Sequence, residues 1–341
     1  MNFDIETVAQ FNALALETFH FQAQHSEVYR SYLRLIGKDP KEITSVGEIP
    51  FLPIELFKSH TVYCGTGFPQ RTFLSSATTG TTPSKHPVAD LSIYEESLTR
   101  AFRLFFGAPN RYTFLALLPT YLERQDSSLV YMVNNLMQQS GAQENGFYLY
   151  NHEELYRQLV KLRDAGKRTL LFGVAFALLD FVEHYTLDFP DLEVVETGGM
   201  KGRGAEITRA ELHQKIGERL GTQNISSEYS MAELLSQAYT QGGELFATPP
   251  WMAVLIRDFH DPFRLLPHGQ KGGINVIDLA NRYSCSFVET QDMGISYETD
   301  TGSKTSTRNA CVPLVGNPFE ILGRTPHSEL RGCNLLLESA L

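Results

Sequence analysis

Four short apolar runs, each set apart from the next by a stretch of helical periodicity, constrain this chain most. TFLALLP (113–119), TLLFGVAFALL (169–179), LEVVETGG (192–199) and NISSEY (224–229) each begin as a buried strand. In AELHQKIGERL, between the third and fourth, Leu212, Ile216 and Leu220 line one face. Thr208 and Glu211 have the spacing of a capping box at that helix's start. Such alternation predicts an α/β architecture whose strand ends meet loops along a shared edge.

The flanks differ from this centre. Residues 5–36 read as helical, with Val8, Phe11, Ala15 and Phe19 at helical spacing. IPFLPIELFKSH (49–60) carries two prolines and reads as an irregular apolar strap. A small polar run, SSATTGTTPSK (75–85), precedes an amphipathic helix at about 90–106. After residue 250, WMAVLIRDF, GGINVIDLA, CSFVETQDMG and FEILGR are strand-like runs divided by Gly, Pro and Asp. The expected division is therefore 1–244 as α/β and 245–341 as a β-rich subdomain, with 296–309 a polar loop. There is no internal repeat.

Composition narrows the functional classes. With 341 residues, 42% hydrophobic and 20% charged, the chain is long enough for a large buried core. A net charge of -10 and the lack of a long basic run disfavour electrostatic nucleic-acid binding. The amino terminus is acidic where a secretory signal is basic, and no stretch reaches the ~20 apolar residues of a membrane span. Cys64, Cys285, Cys311 and Cys333 form no CxxC pair, so neither a zinc site nor a disulfide framework is expected. These features together predict a cytoplasmic protein.

Several segments could carry chemistry. Residues 75–85 offer hydroxyls, a glycine and Lys85, groups that suit phosphate oxygens, although a solvated surface loop has the same composition. The run lacks GxxxxGK[ST], which disfavours a Walker-type NTPase. Ser227-Glu228-Tyr229-Ser230-Met231-Ala232-Glu233 has two readings, since Ser230 and Glu233 also have capping-box spacing. Asp292, in Thr290-Gln291-Asp292, closes an apolar run, where an aspartate before a turn is common. Glu196-Thr197-Gly198-Gly199 follows a strand, and Gly323-Arg324 follows PFEIL. His260, His268 and His327 lack ligand spacing, and no GxSxG elbow occurs. Leu171 to Ala177 reads as core or as the lining of an acyl tunnel.

SSATTGTTPSK resembles the phosphate-binding loop of adenylate-forming enzymes, [ST]SGTTGxPK, with Ala77 at the first glycine. SEYSMAE resembles that family's YGxTE motif, TQD its TGD motif, and Gly323-Arg324 its GR pair. The segments keep the family's order over residues 75–324. The resemblance implies the large domain of an adenylate-forming enzyme: layered sheets and helices plus a β-rich subdomain, without the usual small carboxyl-terminal domain. It implies that Ser75, Ser76, Thr78, Thr79, Gly80, Thr81 and Lys85 meet ATP phosphates. Gly198, Gly199 and Tyr229 would lie against adenine, Asp292 and Arg324 would hold ribose, and Glu233 would hold Mg²⁺.

LLPTYLERQDSSLVYMV, ETGGMKGRGAEITR, SEYSMAELLSQAY and RGCNLL are similar to LuxE-type acyl-protein synthetases, the fatty-acid–protein ligases. That likeness implies a fatty or other small carboxylic acid as substrate, Cys333 as the acyl-accepting thiol, and an acyl reductase or acyl carrier as partner. Coenzyme A is the competing acceptor, and a nucleotide- or acyl-binding subunit without catalysis is the other alternative. The pattern departs from the family after Arg324, where seventeen residues follow. The lysine of the missing small domain then has only Lys85 and Lys201 as internal substitutes.

Overall fold

The central apolar runs become the strands of one sheet. Its order is Gly146–Tyr148, Thr113–Leu117, Thr169–Val174, Glu193–Thr197, Ile225–Tyr229, Ala238–Tyr239. The first five strands are parallel and the last is antiparallel. Thr113–Leu117, Thr169–Val174 and Ile225–Tyr229 are buried at every residue, as expected of strands covered on both faces. This computed structural model describes residues 2–75, 82–119, 126–198, 207–298 and 317–324.

The chain steps outward from Thr113–Leu117 to Gly146–Tyr148, then crosses back to Thr169–Val174 and continues the other way. Such a reversal opens a crevice at the carboxyl ends of the strands, where open α/β sheets bind ligands. Gly198 and Ser230 follow two of those ends.

The helices begin and end where their caps dictate. Helix Leu91–Phe106 starts at Asp90, whose carboxylate accepts from Ser92 N, and stops at Gly107. It buries Tyr94, Leu98, Ala101, Phe102 and Phe105. Helix Arg209–Leu220 has the predicted Thr208–Glu211 capping box. The run 169–179 is extended only as far as Val174, and Ala175–His184 is helical.

Residues 5–36 are two helices, Val8–His25 and Glu27–Leu35, rather than one. Ser26 between them is extended, and its hydroxyl accepts from Tyr29 N. A serine that satisfies the next helix's orphan N–H makes such a break inexpensive, and apolar spacing alone does not reveal it.

The carboxyl-terminal runs build a second sheet in the order Leu52–Pro53, Phe287–Ser296, Lys271–Asp278, Met252–Arg257. Phe319–Arg324 pairs with the second half of Phe287–Ser296. The proline strap thus supplies a short parallel strand, Leu52 beside Val288 and Pro53 beside Glu289. Gln22 Nε2 donates to the carbonyls of Asn281 and Arg282, which ties the first helix to a turn of this sheet. Between the sheets, Trp251 Nε1 donates to Ser97 and Ser236, and Phe105 and Phe106 pack on Tyr239. A separate hairpin, Arg71–Leu74 with Lys85–Val88, flanks both. Among the described residues, no helix is long and apolar enough to cross a membrane.

Candidate active site

Three segments distant in sequence meet at Tyr229. This residue ends strand Ile225–Tyr229, and its ring stands edge-on to Phe246 and Phe319 at 6.0 and 5.8 Å between centroids. Its hydroxyl donates to Asp292 Oδ2 at 2.9 Å. Asp292 and Arg324 are cross-strand partners, with Arg324 Nε 3.6 Å from Asp292 Oδ1. The carboxylate is 14% exposed and the guanidinium 82%, so the pair presents its positive end to solvent. Burial pushes the Asp292 carboxyl up, and Arg324 and the Tyr229 hydroxyl draw it back. Gly323 has φ +124°, a conformation that favours glycine, directly before Arg324.

Gly198, just past strand Glu193–Thr197, has φ +70°. A Cβ built there meets no atom of the described residues within 4 Å, and its φ favours glycine.

Glu233 is 4% exposed, in a segment without helix or strand between Ser230 and Gln237. The capping-box reading of Ser230 and Glu233 therefore fails, because no helix follows for it to cap. Burial raises the Glu233 carboxyl, offset first by the Ser84 hydroxyl and also by Lys58 and Arg324. Ser84 and Ser75 close the mouth of the hairpin: Ser75 N donates to Ser84 O at 3.1 Å, and Ser84 N donates to Ser75 Oγ at 2.8 Å. Lys85 is exposed at the head of its strand, opposite Leu74. Ser76, Thr78, Thr79, Gly80, Thr81, Gly199, Lys201 and Cys333 lie outside the described residues.

The structure also places residues to which the motifs assigned no role. Lys58, at the end of the proline strap, is a cation near Glu233. Glu228 precedes Tyr229 in a strand, so its side chain takes the opposite face, where it accepts from the Thr197 hydroxyl. Burial pushes Glu228 up to about 7. Glu196 accepts from Ser227 and lies 3.6 Å from His213 and 3.9 Å from Arg209. Leu171, Phe172, Val174, Ala175 and Ala177 are core. Cys64 and Cys285 are buried, and burial raises the Cys64 thiol to about 12 and the Cys285 thiol further, which disfavours the nucleophilic thiolate.

Neither a protein-family profile nor a curated protein sequence matches this chain. Solved structures do. A 2-hydroxyisobutyryl-CoA ligase in the postadenylation state, in complex with 2-HIB-AMP, superposes with a TM-score of 0.70 at 13% identity, over 94% of this chain and 69% of that one. ATP-bound MatB from Rhodopseudomonas palustris gives 0.51 at 15% identity, over 76% and 49%. The amide bond synthetase McbA from Marinactinospora thermotolerans gives 0.50 at 18%, over 74% and 48%. The chain has the adenylate-forming ligase fold.

Magnesium binds through one or two carboxylates together with substrate phosphates, and Glu233 offers one carboxylate beside the end of the hairpin loop. Asp292 presents a carboxylate to hydroxyl donors, as the Tyr229 hydroxyl shows.

Proposed function

We propose that this chain activates a carboxylic acid, with a fatty acid favoured, by joining it to the AMP part of ATP, and then passes the acyl group to a thiol. The observation that carries the reading is the meeting of Tyr229, Asp292 and Arg324. The fold supports it, since one neighbour is a CoA ligase solved with an acyl-AMP and another is solved with ATP.

In the first stage, a carboxylate oxygen attacks the α-phosphorus and the bond to pyrophosphate breaks. Asp292 accepts the ribose hydroxyls, Arg324 faces ribose and phosphate, and Tyr229 with the Gly198 turn borders adenine. Ser75 and Lys85 flank the phosphates, and Glu233 would hold Mg²⁺. Bound there, Mg²⁺ would offset charge building up on the phosphate oxygens. In the second stage, a thiolate attacks the acyl carbon, and AMP leaves with one oxygen of the original carboxylate.

Cys333 is the favoured thiol, in keeping with the LuxE-type resemblance, and coenzyme A is its competitor. Two of the four cysteines, Cys64 and Cys285, are buried and raised in pKa, which narrows the choice within the chain.

ATP–pyrophosphate exchange with Mg²⁺ and a panel of fatty and aromatic acids tests the reading. Exchange that depends on one class of acid supports it and names the class. No exchange with any acid, in protein that binds ATP, rejects it. Asp292→Asn is expected to raise the KM for ATP about tenfold, the cost of one weakened charged hydrogen bond. A change in kcat with KM unmoved would contradict the ribose role.

A further inference from the structure

Glu233 lies on a segment that belongs to no helix or strand, yet the backbone around it is held at four points. His86 Nδ1 is 2.7 Å from Ala232 O. Asn281 Nδ2 donates to Glu233 O at 2.7 Å and to Cys285 O at 2.9 Å. Asp278 Oδ2 accepts from Leu235 N at 2.7 Å and from Ser236 N at 3.0 Å. The bonded backbone atoms thus run from Ala232 to Ser236, on both sides of the carboxylate's own residue.

The groups that hold this backbone are linked to one another. Asp278 caps the short 3₁₀ turn Leu279–Asn281 by accepting from Ala280 N at 3.1 Å. Asn281 Oδ1 is 2.8 Å from His86 Nε2. Because Asn281 Nδ2 faces two carbonyls, its amide has one sensible orientation, with Oδ1 toward the histidine. His86, Asp278 and Asn281 are all buried, at 0%, 0% and 1% exposure. Both ring nitrogens of His86 face acceptors, and burial lowers the ring to about 4, so the neutral imidazole donates to one of the two. The bonds made by Asn281 Nδ2 and Asp278 are costly to leave unmade.

The mouth of the same hairpin also reaches the carboxylate. The Ser84 hydroxyl, just before the strand, faces the Glu233 side chain, and His86, two residues on, lies against the Ala232 carbonyl. Gln22 of the first helix anchors the far side of the turn through the Asn281 and Arg282 carbonyls.

We propose that the Asp278–Asn281 turn, together with His86, is a clamp that sets the position of Glu233 for its cation, with Asn281 as the central positioning residue. The proposal rests on the Mg²⁺ reading of Glu233. Partners that orient a metal-binding carboxylate are typically worth about 10–100-fold in metal affinity.

The test compares wild type, Asn281→Ala, Asn281→Asp and Glu233→Gln. Asn281→Asp keeps the side-chain volume and the oxygen facing His86, and it removes the donor to Glu233 O. Three quantities are read on protein checked for folding by its melting transition: the Mg²⁺ concentration giving half-maximal pyrophosphate exchange, Mn²⁺ binding to the protein–ATP complex by electron paramagnetic resonance, and ATP binding in EDTA. Both Asn281 variants are expected to weaken Mg²⁺ and Mn²⁺ dependence about tenfold or more, with metal-free ATP binding changed less than about twofold.

Unchanged metal dependence in a folded Asn281 variant, with Glu233→Gln strongly impaired, overturns the clamp and leaves the Glu233 reading standing. Equal losses of metal-free and metal-dependent binding also overturn it, since the turn would then be a structural support only. If Glu233→Gln itself leaves metal dependence intact, the Mg²⁺ reading fails and the clamp fails with it.

Discussion

Replacing Glu233 by glutamine is expected to slow acid-dependent pyrophosphate exchange on the order of 10²–10³-fold, the usual cost of losing one preorganised electrostatic contact to developing charge. The melting temperature is expected to hold or rise. Glu233 is 4% exposed and burial raises its carboxyl, so its negative charge costs stability in the folded chain. Glutamine keeps the shape and removes that cost. A residue kept at the expense of stability is what a functional carboxylate looks like. Exchange at saturating ATP, beside a thermal melt, checks both halves. A rate within tenfold of wild type, or a large fall in melting temperature, would make Glu233 a structural residue.

The second large effect concerns Glu228, on the face of strand Ile225–Tyr229 opposite Tyr229. Burial raises its carboxyl from 4.5 to about 7, and the like charge of Glu196 adds to this, against the Thr197 hydroxyl. The folded chain therefore holds this proton more tightly than the unfolded chain does. Its contribution to stability is full below about pH 4.5, falls as pH rises toward about 7, and is flat above that. The difference across this window is about 3 kcal/mol.

Glu228→Gln mimics the protonated acid at every pH. The variant is thus expected to match wild type near pH 4.5 and to exceed it by about 3 kcal/mol at pH 8. Denaturant unfolding of both proteins across this range measures the difference, and titrating groups remote from Glu228 cancel in the comparison. Parallel curves would mean that Glu228 is ionised in the folded chain without penalty.

Much of the fold was legible because it is local. Apolar runs and capping residues mark strands and helices within a few positions, and the Thr208–Glu211 box and the alternation from Thr113 to Tyr229 are of this kind. Strand order is not local. Nothing near Gly146–Tyr148 announces that it lies outside Thr113–Leu117, or that Leu52–Pro53 joins a strand more than two hundred residues later.

The candidate site divides in the same way. Tyr229, Asp292 and Arg324 could be named from short motifs, but their mutual contacts depend on register: Asp292 faces Arg324 just beyond a register shift between Met293 and Gly294. Glu228 was hidden by standing next to a better-known position, since neighbours in a strand serve opposite faces. Asn281 and Asp278 have no motif at all. Their importance comes from bonds to backbone atoms more than forty residues away, which no spacing rule encodes.

One measurement tests the central claim most directly. A fatty acid labelled with heavy oxygen in its carboxylate is incubated with the protein, Mg²⁺, ATP and hydroxylamine as acceptor, and the AMP formed is analysed by mass spectrometry. Attack of the carboxylate on the α-phosphorus predicts AMP carrying one heavy oxygen, with acyl hydroxamate formed in equal amount. Unlabelled AMP, or ADP in its place, would contradict acyl-adenylate chemistry by this chain.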